Sequence, residues 1–174
     1  MTRERILRAV LRVIAAEGVA GVTNRRIARE AEVSLGSITY HFATQSNLLR
    51  ESLLLFVHEE TTRLTALAQQ PATVEQAAAL VQQVIESLPS ELAPFELYLH
   101  AARDPSLRDA ASRCFAAYDA LALTVLKALG LPNPAALTAP VVALVAGMQL
   151  RRLATGTTPE IAAALLLLVS ASPS

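Results

Sequence analysis

Apolar residues near the start of the chain repeat with the spacing of helices rather than strands. Ile6, Val10, Val13 and Ile14 share one helical face, and the run ends at Gly18, a residue suited to a left-handed C-terminal cap. A first helix is predicted there. The stretch TNRRIAREAEVSLGSITYHFATQSNL, Thr23 to Leu48, then predicts two short helices joined by a tight turn. Thr23 is placed to cap the second helix, whose Ile27, Ala28 and Ala31 face inward, and Ser34 is placed to cap the third, roughly Leu35 to Phe42. Ile38 and Phe42 lie four apart and pack inward, which leaves Leu35, Ser37, Thr39 and Tyr40 outside. Arg25, Arg26 and Arg29 fall on the exposed side of the second helix, and Arg5, Arg8 and Arg12 share a face of the first. Two helices, a turn and outward cations form the layout of a helix-turn-helix head, whose third helix would enter the major groove.

Farther on, Asp104-Pro105 supplies a cap and an N1 proline before a long helix to Gly130, with Leu107, Ala111, Cys114, Tyr118, Leu121 and Val125 as its buried stripe. Another helix is expected from about Thr138 or Pro140 to Thr155, closed by Gly156, and a last one after Thr158-Pro159. Helices near 46–69, 73–88 and 92–103, joined through QQPAT and LPSEL, bring the expected total to about nine in an all-α chain. Ile161 to Ala171 is almost wholly apolar but only about half of the ~20 residues a membrane span needs, so it reads as a buried helix.

Composition agrees with helices throughout: the 174 residues are 53% hydrophobic, yet hold only 4% aromatics and six glycines. The net charge of zero hides an asymmetry. Residues 1–50 carry eight Arg against four Glu, or +4, and residues 51–174 carry seven cations against eleven acids, or −4. A basic head on an acidic body suits a DNA-binding module with a separate body. One cysteine, Cys114, excludes an intramolecular disulfide and a thiolate zinc cluster. The start MTRERILRAV lacks the apolar core of a secretory signal, so a cytoplasmic chain is expected.

The pattern Thr23, Ile27-Ala28, Ala31, Val33-Ser34, Gly36-Ser37, Tyr40-His41-Phe42 and Leu48 resembles the N-terminal signature of the TetR family of one-component transcriptional regulators. The resemblance covers about the first quarter of the chain. It implies a helix-turn-helix domain over 1–45 and an all-helical ligand-binding and dimerisation domain over 46–174, with double-stranded operator DNA as partner and no cofactor or metal. Carried over residue by residue, it makes His41 a phosphate contact and Arg25 a candidate for a base. It also makes Gly36, costly inside a helix by roughly 1 kcal/mol, a place where the backbone comes close to DNA, the alternative being that this glycine only eases the turn. Hydroxyls of Ser37, Thr39 and Tyr40 could bond phosphates or base edges, and Leu35 could touch a thymine methyl. Arg26 and Arg29 either join them or form a solvated cationic face. Two positions depart from the family pattern. Thr39 stands where a tyrosine is usual. Gln45 replaces a lysine that clamps a phosphate, and a neutral amide releases no counterion. Thr44 remains a helix cap that could donate to the same phosphate.

One head reads one half-site, and two must stand about 34 to 36 Å apart to read successive grooves, so a homodimer is expected. Its interface is placed on the last two helices, at Val141, Val142, Leu144, Val145, Met148, Leu165, Leu167 and Leu168, with Ala143 and Gly147 allowing close approach and Arg151 and Arg152 at the rim. The same residues could instead complete a core within one chain. Phe56, Tyr98, Cys114, Phe115, Tyr118, Met148 and Gln149 are candidates to line a cavity for a small apolar or aromatic effector, or are plain core. Glu96, His100 and Arg103 share a polar face that meets water. No Ser-His-acid set, metal-ligand spacing or phosphate-cradling glycine loop points to an enzyme. The competing class is a helical ligand-binding or protein-interaction module without sequence-specific DNA recognition.

Overall fold

The computed structural model describes residues 2–68 and 92–157, together with Thr73, Gln76 and Ala79. Among these residues stand seven α-helices: α1 Thr2–Glu17, α2 Asn24–Ala31, α3 Leu35–His41, α4 Gln45–Ala68, α5 Leu92–Ala101, α6 Arg108–Ala128 and α7 Pro134–Thr155. The chain is all-α, with two short 3-10 turns at Val19–Gly21 and Pro105–Leu107. The helices expected near 73–88 and after Thr158-Pro159 fall outside the described residues, apart from the three isolated ones, and so do Leu165, Leu167 and Leu168.

The chain divides into two compact units, Met1–Glu59 with Ser90–Cys114, and Glu60–Pro89 with Phe115–Ser174. In the first, α1 buries Ile6, Leu7, Ala9, Val10, Val13 and Ile14. α2 and α3 pack on it and on each other, adding Ile27, Ala31 and Ile38 to one core that Phe42, Leu48, Leu49 and Leu53 extend. Burying a large aliphatic side chain stabilises by about 1.5–3 kcal/mol, so this cluster holds together helices too short to stand alone. α5 lies against α1 and the first 3-10 turn, burying Ala93, Pro94, Leu97 and Ala101. Cys114 is fully buried, and burial pushes its thiol up to about 12 against the pull of a hydrogen bond from Tyr98.

The sequence-derived caps hold at several termini. Thr23 accepts from the Arg26 N–H at 3.2 Å and Ser34 from that of Ser37 at 3.2 Å. Thr44 accepts from Asn47 at 3.0 Å, and Gly156 closes α7 in the left-handed region. Gly18 differs from expectation. Its φ of 71° is positive but its ψ is 176°, so it closes α1 through its N–H to Ile14 and then turns the chain into the 3-10 segment instead of forming a left-handed helical cap. Asp104 caps the 3-10 turn at Pro105–Leu107, and the long helix follows only at Arg108.

In the second unit α7 begins at Pro134, four to six residues before the expected start. Asn133-Pro134 offers an N1 proline as good as the later Pro140, which sits inside the helix. Glu60, 8% exposed, is held by Arg63 at 2.6 Å. Of the stripe expected along α6 and its approach, Leu107 and Cys114 are buried, while Ala111, Tyr118, Leu121 and Val125 are half-buried.

Candidate nucleic-acid interface

α3 offers a face of small polar groups around one aromatic ring. Leu35 is 47% exposed and Tyr40 85% exposed, a large apolar area to leave in water on a helix whose other face is core. His41 stacks edge-on to Tyr40 with ring centroids 5.1 Å apart and contacts Phe42 at 6.2 Å, so it is half-buried and fixed in direction. Ser34 and Ser37 share a hydrogen bond of 2.9 Å between their hydroxyls, and Thr39 donates to the Gly36 carbonyl at 3.1 Å. The Thr39 hydroxyl, which donates inward, keeps its lone pairs for an outside donor.

Gly36 bears directly on what this face meets. It is exposed, and an added Cβ would meet only the Ser34 hydroxyl oxygen, at 3.9 Å. No close approach within the chain calls for a glycine there. A Cβ would therefore have room there, and the glycine serves no packing among the described residues.

The arginines of the head sort into two groups. Arg26, expected on the exposed side, is half-buried: it pairs with Glu17 at 2.7 Å and with Glu30 at 2.9 Å. Arg12 joins the same Glu30 at 2.8 Å, and Arg12 first and then Arg26 hold that carboxyl below its usual range. Arg8 bridges Glu4 and Glu59, and Arg3 meets Glu51 while lying 5.5 Å from the Phe42 ring centre. Arg5 donates to the carbonyls of Ala31 and Glu32, at 2.7 and 3.2 Å, where α2 ends with Glu32 in the left-handed region. A cation there completes orphan carbonyls and opposes the negative end of the helix dipole. Arg50 is paired with Glu51. Arg25 and Arg29 are exposed and form no ion pair or hydrogen bond among the described residues. These two are the head's uncommitted cations, on the exposed side of α2.

Sequence pattern alone did not reveal the Arg5 clamp or the Glu17 partner of Arg26, because these partners lie 26 and 9 residues away with no periodic signal; the Arg26–Glu30 pair, four residues apart on one helix, was readable. Nor did it reveal the place of Gln45, whose side-chain N–H donates to the Val22 carbonyl at 3.0 Å. Thr44 sits beside it, exposed, with its oxygen in the α4 cap.

The residues expected around an effector divide between the units. Phe56 and Tyr98 are half-buried and Cys114 fully buried in the first; Phe115 is 39% exposed and Tyr118, Met148 and Gln149 are half-buried in the second. Val141, Val142, Leu144, Val145 and Met148 of α7 are likewise half-buried.

Comparison with known proteins bears on both parts of the chain. Residues 6–51 match the family described as bacterial regulatory proteins, tetR family, and residues 49–171 match the tetracyclin repressor-like C-terminal domain. The HTH-type transcriptional regulator PksA of Bacillus subtilis is 38% identical over 66 residues, which take in 38% of this chain and only 32% of that protein. Among solved structures, the multidrug binding protein EbrR in complex with imidazole superposes with a TM-score of 0.78 at 30% identity, covering 100% of this chain and 97% of the other. Its ethidium complex gives 0.77 at 31%, covering 97% and 98%. A TetR-family protein of Streptomyces coelicolor gives 0.78 at 30%, covering 97% and 98%.

Proposed function

Since the chain belongs to the TetR family of DNA-binding transcriptional regulators, a family without enzymatic activity, we propose that it is a cytoplasmic repressor that binds a palindromic operator as a homodimer and is released by a small apolar or aromatic effector. The observation that carries the DNA-reading part is the outward face of α3, where Gly36 has no internal reason and Tyr40 has almost no internal cover. Reading is assigned to Leu35, Gly36, Ser37, Thr39 and Tyr40 with Arg25, and phosphate positioning to Thr23, Ser34, His41 and Thr44. Arg29 joins Arg25 as a free cation. Arg26 serves through its two glutamates rather than through DNA.

Dimerisation is assigned to α7, whose long apolar run has only Leu137 and Thr138 buried within one chain. EbrR is described as a multidrug binding protein and has been crystallised with ethidium, proflavin and malachite green. These aromatic compounds support the same effector chemistry here. Such a ligand releases DNA only through unequal affinity for the bound and free forms. The division of labour proposed is DNA reading in 1–45, with effector binding and dimerisation in 46–174.

Selection of bound duplexes from a random library at about 150 mM salt tests the proposal, because nonspecific phosphate contacts weaken steeply there. Enrichment of an inverted repeat by a dimer is expected. Retention on all sequences alike, lost on adding salt, would instead identify an interaction module. Ethidium should raise the melting temperature of the DNA-free protein, a readout that its intercalation into duplex DNA does not touch.

A further inference from the structure

Gln45 opens α4 at the position where the family resemblance placed a phosphate-clamping lysine, but its amide is turned inward. Its nitrogen donates at 3.0 Å to the carbonyl of Val22, 23 residues earlier. Only the nitrogen can face a carbonyl oxygen, so the amide's orientation is settled by its partner. Both ends of this contact are anchored. Thr44 caps the turn that carries Gln45, and next to it the Ser46 hydroxyl donates to Asp104 at 2.8 Å. Val22 is 4% exposed, and its N–H donates to Val19 at 3.1 Å.

Val22 immediately precedes Thr23, the cap of α2. That helix is eight residues long, too short to set its own direction, and depends on outside anchors. Its C-terminal end is held by Arg5 on the Ala31 and Glu32 carbonyls, and its inner face by the buried Ile27 and Ala31. At the N-terminal end the Gln45 contact holds the strand of chain entering the helix. Arg25, in the first turn after the cap, has no ion pair or hydrogen bond among the described residues.

We infer that Gln45 is a positioning residue for operator recognition: by holding the Val22 carbonyl it seats the first turn of α2 and so directs Arg25. The inference rests on the proposed DNA-reading function. Gln45 is exposed, so removing its amide takes away no core contact and leaves the fold intact.

The test compares wild type, Gln45→Met, Arg25→Ala and the double variant on the selected inverted repeat and on a scrambled duplex, with thermal unfolding and the salt dependence of binding followed in parallel. Methionine keeps the length and loses the donor. Gln45→Met should lower the ratio of specific to scrambled affinity about fivefold, the scale of one neutral hydrogen bond. The salt slope should stay unchanged, since no counterion is involved. The double variant should lose no more than about twofold beyond Arg25→Ala alone, because the two residues act as one unit. An unchanged ratio in Gln45→Met, or two losses that multiply in full, would overturn the inference, the second outcome making Gln45 act on recognition independently of Arg25. Gln45→Ala should repeat the methionine result. If wild type selects no repeat at all, the DNA-reading proposal fails; if it does and Gln45→Met keeps its ratio, only the role of Gln45 fails.

Discussion

α1 and α7 are both long helices rich in aliphatic residues, yet the chain treats them differently. Six of the sixteen residues of α1 are buried, against two of the twenty-two in α7. α1 has a polar face of arginines and glutamates tied to α2 and α4, whereas α7 offers Val141, Val142, Leu144, Val145 and Met148 half-covered and Leu150 half-exposed. The head finds its partners within one chain. Among the described residues the apolar run of α7 is only half-covered, and a second copy is the occupant proposed for the rest.

The sharpest way to break this contrast is to hollow each side. Ile27→Ala, at a fully buried position, should destabilise by about 2–5 kcal/mol in urea unfolding. A loss below 1 kcal/mol would mean that the head is not one tight core. Leu144→Asp should raise the dimer dissociation constant by about thirtyfold or more in sedimentation, the scale of a central interface position, with the head's unfolding unchanged. A protein that is monomeric before the substitution ends the assignment of α7. Arg25→Ala should cost ~1–3 kcal/mol of discrimination between operator and scrambled DNA, and Tyr40→Ala should weaken operator binding, both without a change in unfolding.

The smallest effect concerns the polar side of α1. The carboxyl of Glu30 titrates below its ordinary value because of Arg12 and then Arg26. A depressed carboxylate stabilises the fold above its unfolded pKa, and that contribution is lost as pH falls through the folded pKa. Glu30→Gln should therefore melt slightly below wild type at neutral pH, and the two curves should converge once the medium is more acidic than the ordinary carboxylate range. Melting curves that stay apart under acid would show that Glu30 acts by shape rather than charge.

The head was legible in the sequence where its determinants are local. Thr23, Ser34 and Thr44 announce helix starts through bonds spanning three residues, and Ile6, Val10 and Ile14 announce a face through period alone. Gly18 misled because positive φ was foreseeable and its ψ was not, the latter being set by the turn it enters. Pro140 misled because two prolines competed for one helix start. Arg5, Gln45 and the Glu17 pairing of Arg26 were opaque for a different reason: each uses a carbonyl or carboxylate that only the folded chain brings near. An exposed-looking arginine in a helical pattern is therefore a statement about its face, and its task is settled by tertiary neighbours.

The buried Cys114 has a practical consequence. With its thiol buried and pushed up to about 12, Cys114 should react only slowly with thiol reagents at neutral pH. Ala43→Cys, at an exposed point between α3 and α4, would then supply the fast-reacting handle of each subunit. A spin label there, one on each copy of the proposed dimer, would turn the spacing between heads into a ruler readable with and without ethidium.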